Sequence, residues 1–273
     1  MVKYKQRLKR KHDSGEIMNT NDYIAVFDSG VGGISVLRQL RKAMPRERFL
    51  YFGDSSNAPY GSRPTRQVRE LTLAAAEKLY TEYPVKALVV ACNTATSAAI
   101  RQLRETYPER IIIGIEPALK LAADRFPKGS IGVMATQVTL REEKFQRLAL
   151  RFREGRRIYP IPAPGLVELI EAGKRDDPET RAFLTKLLQP YIGKLDALVL
   201  GCTHYPFVKH GIQSIVGPGT QVVHGGEGTA RETRRRLEEA GLIHEGPGEL
   251  TILNSSGDER LIRLSYSLLE GTM

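Results

Sequence analysis

Two cysteines, Cys92 and Cys202, are the only thiols in this chain of 273 residues. Both stand at the same point of one repeated pattern: residues 87–96 read ALVVACNTAT and residues 197–206 read ALVLGCTHYP. Each follows an apolar run and precedes hydrogen-bonding residues. A lone cysteine with apolar flanks is ordinarily a small core side chain; two at matching places point to chemistry. Zinc is disfavoured, because no C-x-x-C is present and the wide separation matches no ligand spacing. A phosphatase-type C-x5-R loop is excluded by Ala98. Acid/base or nucleophilic work at two opposed thiols remains.

Opposed thiols suit the inversion of a stereocentre. One group removes a proton from one face of a carbon while the other delivers a proton to the opposite face. The roles swap with the enantiomer. A free thiol, with a pKa of about 8.5, is only slightly ionised at neutral pH, so neighbours must tune it. Asp28 and His204 are the candidate tuning groups, one per thiol; the duller reading of His204 is a satisfied structural histidine. The run DSGVGGISVL, Asp28 to Leu37, has the form of a glycine-rich turn opening a helix, which directs N–H groups at an anion. A dinucleotide fingerprint would need glycine where Ser35 stands, and no G-K-[ST] pattern occurs. A carboxylate is at least as good a guest as a phosphate, and Asp28 as a simple helix cap is the alternative.

The elements that must position these residues alternate between short apolar runs and amphipathic stretches. Strands are expected at residues 23–27, 49–52, 87–91, 111–115, 130–134, 157–161, 197–201, 221–224 and 250–254. Helical segments are expected at 34–43, 66–80, 95–106, 140–152, 178–188 and 228–240. Apolar strands followed by helices predict an α/β fold with parallel sheets covered on both faces. Functional residues then gather in the loops after the strands, and the polar and titratable residues do fall there. The echo between the two cysteine segments suggests two domains, each giving one thiol to a shared cleft.

Hydrophobic residues make up 41% of the chain, enough for two cores. Nothing approaches a membrane-spanning run and no secretory leader is seen, so the expected location is cytoplasmic. Of the formal charge of +10, the first 21 residues carry a disproportionate share, with six basic against two acidic groups. A solvated, disordered tail is the expectation there, and nucleic-acid binding is disfavoured.

The motifs taken together resemble the glutamate racemases of the aspartate/glutamate racemase family. The resemblance rests on Phe27 to Gly33, Pro59-Tyr60-Gly61, Cys92-Asn93-Thr94, Thr136 with Thr139, and Gly201 to Pro206. It runs from about Tyr23 to the C-terminus. Aspartate racemases share the two-cysteine plan but usually carry Cys-Thr-Glu at the second motif, so His204 favours glutamate. The resemblance implies cofactor-independent racemisation of glutamate, supplying D-glutamate for peptidoglycan, in a cytoplasmic homodimer without membrane or nucleic-acid partners. It implies that Cys92 takes the α-proton of D-glutamate and Cys202 that of L-glutamate, with Asp28 assisting the first and His204 and Glu171 the second; Glu168 competes for the last role. Ser29, Pro59, Tyr60, Gly61, Asn93, Thr94, Thr136, Thr139 and Thr203 would hold the substrate. The family fold is two α/β domains related by pseudo-twofold symmetry, here expected as residues 22–115 plus 225–273 and residues 116–224, after a leader at 1–21. The stretch Val223 to Glu227 departs from the family pattern and puts the local turn in question. A racemase for another amino acid, and a non-catalytic amino-acid sensor, are the competing readings.

Overall fold

The computed structural model describes residues 18–115, 118–141, 143–152 and 155–271, so most of the basic leader lies outside the described residues. In chain order, β1 (Tyr23–Asp28), α1 (Ile34–Ala43), β2 (Arg48–Gly53), α2 (Thr65–Glu82), β3 (Val85–Val90), α3 (Asn93–Thr106) and β4 (Ile111–Gly114) come first. Next are α4 (Ala118–Arg125), β5 (Ser130–Ala135), α5 (Gln137–Arg141), α6 (Glu143–Arg151), β6 (Arg157–Pro162), α7 (Leu166–Glu171) and α8 (Pro178–Leu188). β7 (Ala197–Leu200), α9 (Lys209–Val216), β8 (Gln221–His224), α10 (Gly226–Glu239), β9 (Glu249–Asn254) and α11 (Glu259–Glu270) complete the order.

All pairings are parallel, and the strands form two sheets ordered β4-β3-β1-β2-β9 and β6-β5-β7-β8. The expected α/β class with two parallel-sheet domains is what the chain adopts. Read from the other edge, the second sheet runs β8-β7-β5-β6, which is the order of the first four strands of the first sheet. The two sheets therefore repeat one topology, and each cysteine follows the third strand of its repeat. This is the strand-level basis of the pseudo-twofold relation.

Alternation along each strand fills both faces. Ala25 and Phe27 join the core under α2 and α3, whereas Ile24 and Val26 join the core with α1, α10 and α11. The second sheet likewise separates a core of Met134, Leu198 and Leu200 from one of Ile131, Val133 and Val199. The edge strand β4, Ile111–Gly114, is wholly apolar and buried. β6 and β9, at the edges, expose several side chains, because an edge strand needs less cover. The helix expected over 140–152 is found as α5 and α6, on either side of residue 142, which lies outside the described residues. The questioned turn is tight: β8 ends at His224, whose Nδ1 accepts the Gly226 N–H at 3.3 Å as α10 begins.

Buried between β2, β3 and the C-terminal segment is an ion pair, Lys86 Nζ to Glu47 Oε2 at 2.7 Å, with both side chains essentially inaccessible. The ammonium also donates to the carbonyls of Thr20 and Leu242, so each of its three protons has an acceptor. Glu47 Oε1 in turn accepts from the His244 N–H at 2.9 Å.

Candidate active site

In a sheet ordered this way the chain reverses direction between β1 and β3, and between β5 and β7. Loops leaving the strands on either side of such a point part and leave a crevice. The four loops concerned begin at Asp28, Ala91, Thr136 and Gly201. Both sheets direct their crevices at one cavity of about 480 Å³. Its lining includes Ser29, Pro59, Tyr60, Gly61, Cys92, Asn93 and Thr94 from the first sheet's loops, and Thr136, Glu171, Cys202, Thr203 and His204 from the second's. Both thiols are free and buried.

Cys92 caps α3, its Sγ accepting the Ala95 N–H at 3.4 Å while Ser29 Oγ lies 3.4 Å away on the other side. Burial, reinforced by the Asp28 carboxylate, pushes its thiol up to about 12, against the pull of those two contacts. Asn93 and Thr94 open the same helix, so its N-terminus faces the cavity.

On the opposite wall Cys202 Sγ lies 3.7 Å from His204 Nδ1, and His204 Nε2 is 2.8 Å from Glu171 Oε1. Burial opposes charge on the imidazole, yet its contacts with Cys202 and Glu171 raise its pKa well above the ordinary value. Burial likewise opposes charge on Glu171, but His204 and the Val31 N–H hold that carboxyl below its usual range. A protonated imidazole between the Cys202 sulfur and the Glu171 carboxylate fits both directions. Of the two competing acids, Glu171 makes this contact; Glu168 is exposed on the cavity's rim.

Asp28 and Thr139 do not line the cavity. Asp28 is fully buried behind it, accepting from the Gly30 N–H at 3.0 Å and the Thr203 hydroxyl at 3.0 Å. Burial raises its pKa, against His204 and these donors. Thr139 supports the wall, in a hydroxyl cluster with Thr94 at 3.2 Å and Thr136 at 3.0 Å. The Tyr60 hydroxyl donates to Asp54 at 2.7 Å and so has no proton left for a ligand. At Gly61 an added Cβ would fall 2.8 Å from Thr136 Cγ2. The carboxylate received by the glycine-rich turn is a side chain of the protein itself: Glu171 Oε1 lies 3.5 Å from the Val31 N–H. A Cβ on Gly30 would stand 2.4 Å from the same oxygen, so a side chain there would displace the Glu171 carboxylate.

Sequence reading missed Ser55, Gln137, Val138, Arg141 and the Pro164-Gly165 turn, all of which reach the cavity. Asn254, at the end of β9, donates to Ser55 at 2.8 Å. Among the described residues no cluster of three or more His, Cys, Asp or Glu has the arrangement of a metal site, and no helix is long and apolar enough to cross a membrane.

The family profile of the Asp/Glu/hydantoin racemases matches residues 32–233, and the glutamate racemase of Clostridium perfringens is 48% identical over 253 residues, covering 92% of this chain and 97% of its own. The chain belongs to this racemase family. Among solved structures, the glutamate racemase isoform RacE1 of Bacillus anthracis superposes with a TM-score of 0.84 at 28% identity, covering 92% of this chain and 95% of that one. The Escherichia coli glutamate racemase, in complex with L-glutamate and the activator UDP-MurNAc-Ala, gives 0.79 at 30% identity over 91% and 95%. The fold of this racemase is thus shared with these two bacterial glutamate racemases.

Proposed function

We propose that this racemase interconverts L- and D-glutamate without a cofactor by proton transfer between two thiols. The observation that carries the reading is the pair itself: Cys92 and Cys202 follow topologically equivalent strands and line one cavity. Two relatives support glutamate as the substrate, the C. perfringens glutamate racemase by its activity and the E. coli protein by its bound L-glutamate.

In the L-to-D direction, Cys202 as thiolate takes the α-proton, and the electron pair of the broken C–H bond is delocalised onto the substrate's α-carboxylate. Cys92, held as a thiol by its burial, gives its proton to the opposite face. Cys202 ends as thiol and Cys92 as thiolate; the reverse turnover, or exchange with water, restores the start. His204, held by Glu171, offsets the negative charge at the second wall. Asp28 acts on Cys92 through its field, since its hydrogen bonds go to Gly30 and Thr203. The α3 N-terminus with Asn93 and Thr94, the hydroxyls of Ser29, Thr136 and Thr203, and the main chain of residues 59–61 would hold the carboxylates and ammonium. Donors preorganised around a growing carboxylate charge favour the transition state over the ground state.

The same reading assigns residues 22–115 with residues 225–273 to one domain and residues 116–224 to the other, supply of D-glutamate for peptidoglycan as the role, a cytoplasmic homodimer as the working form, and no part for nucleic acid. Sedimentation of the purified protein tests the dimer. The reaction is tested by incubating the protein with L-glutamate in D2O without pyridoxal phosphate. Loss of optical activity with α-deuterium entering the D-product supports the two-thiol route. Racemisation that survives serine at both cysteine positions would exclude it.

A further inference from the structure

The cavity must admit a ligand of net negative charge, and its own ionisable lining is mostly acidic or acid-paired. Glu171 is engaged with His204, and Glu168 stands exposed at the rim with its charge directed against an anion. One permanently charged cation, Arg141, is found in the lining.

Its position follows from the helix that carries it. α5 buries Thr139 and Leu140, while Gln137, Val138 and Arg141 reach the cavity. Arg141 thus extends from the Thr136–Thr139 hydroxyl cluster to the solvent-exposed rim. Other exposed arginines on neighbouring helices are paired with acids one turn away, as Arg147 is with Glu143 and Arg101 with Glu105. Arg141 has no hydrogen-bond or ion-pair partner among the described residues. An unpaired guanidinium at the mouth of a cavity that takes a dicarboxylate raises the local concentration of that anion and offsets Glu168.

We propose that Arg141 is a substrate-recruiting and specificity-determining residue, which draws the extra negative charge of an acidic amino acid into the cavity and thereby favours glutamate over its neutral amide. The proposal rests on the glutamate reading for its substrate, and not on the proton-transfer steps.

The test compares wild type, R141Q, R141K and R101Q, the last removing an equal charge from α3 away from the cavity. KM and kcat for both enantiomers, and calorimetric Kd for L-glutamate and L-glutamine, are measured at low and high ionic strength. R141Q is expected to raise KM and Kd for glutamate about fivefold, the scale of a partly solvated charge contact, with kcat within about twofold and glutamine binding unchanged. Wild type is expected to show salt-dependent weakening, which vanishes in R141Q and persists in R141K and R101Q. Wild-type Kd and salt dependence in R141Q, or an equal loss for glutamine, would overturn the proposal. A wild type that binds glutamate without racemising it would sink the proposed reaction, while its Kd values would still decide the role of Arg141.

Discussion

Asp28, at the end of the first strand of one sheet, accepts a hydrogen bond from the hydroxyl of Thr203, which follows the third strand of the other, at 3.0 Å. The bond joins the two walls behind the cavity, and Ser35 Oγ adds a second link by donating to the Thr203 carbonyl at 2.7 Å. T203V keeps the side-chain shape but leaves the buried carboxylate one donor short. Loss of about 1–3 kcal/mol of stability is expected, together with reduced kcat, read by urea denaturation and by racemisation. An unchanged denaturation midpoint would show that the bond does not hold the walls together.

Cys92 should resist alkylation. Its thiol is pushed up to about 12, so at pH 8 almost none is thiolate, the form that reacts. Labelling with iodoacetamide, followed by mass spectrometry, should remain slow at pH 8 and accelerate as the pH climbs toward that value. Rapid labelling of Cys92 near neutrality would contradict the assigned donor state.

The His204–Glu171 contact should show in the pH dependence of stability. The imidazole pKa is raised above 6.5, so its contribution is complete below that value and is lost as pH rises through the folded pKa. The Glu171 pKa is lowered below 4.5, so its contribution is present above that value and is lost as pH falls through the folded pKa. The window in which both operate lies from about pH 4.5 to 6.5. E171Q should therefore lower Tm most within it and progressively less at alkaline pH, as differential scanning calorimetry can record. A Tm difference that grows with rising pH would be the wrong sign.

G30A should separate fold from function. The new Cβ would meet Glu171 Oε1 at 2.4 Å, forcing that carboxylate off His204 while leaving the sheet intact. The expected outcome is a large fall in kcat with near-native circular dichroism and a downward shift of the His204 titration by NMR. Normal turnover would show that Glu171 can move without consequence.

Lys86 provides the contrasting case. K86M leaves Glu47 buried without its cation and frees the carbonyls of Thr20 and Leu242. Breaking a buried pair from one side costs about 3–5 kcal/mol, so urea stability should fall steeply. The residual folded fraction should racemise at the wild-type kcat, because the pair lies away from the cavity. A kcat defect in folded protein would place it in the catalytic machinery.

What the sequence disclosed about this site follows from where information resides in an α/β chain. Cys92, Cys202, Asp28 and His204 are legible because strand-end loops collect polar residues after apolar runs, and the fold brings those ends together. The glycine-rich turn was legible as a receptor for a carboxylate, but its guest, Glu171, lies far along the chain and is recognisable only in three dimensions. Arg141 and Ser55 left no signal. They sit on short helices and turns whose periodicity resembles ordinary surface, and tertiary placement alone makes them part of a cavity.

The edge strand β9 has a consequence for biosynthesis. It pairs with β2 in parallel and, through Asn254 to Ser55 and Ser255 to the Ser56 N–H, anchors the turn that borders the cavity. β9 follows every strand of the second sheet in the sequence, so that sheet can assemble on the ribosome while the first still lacks its edge. Late closure of the longer loop is the slower step in such a topology. Catalytic competence should thus arrive only once β9 has paired with β2, after the second sheet has formed.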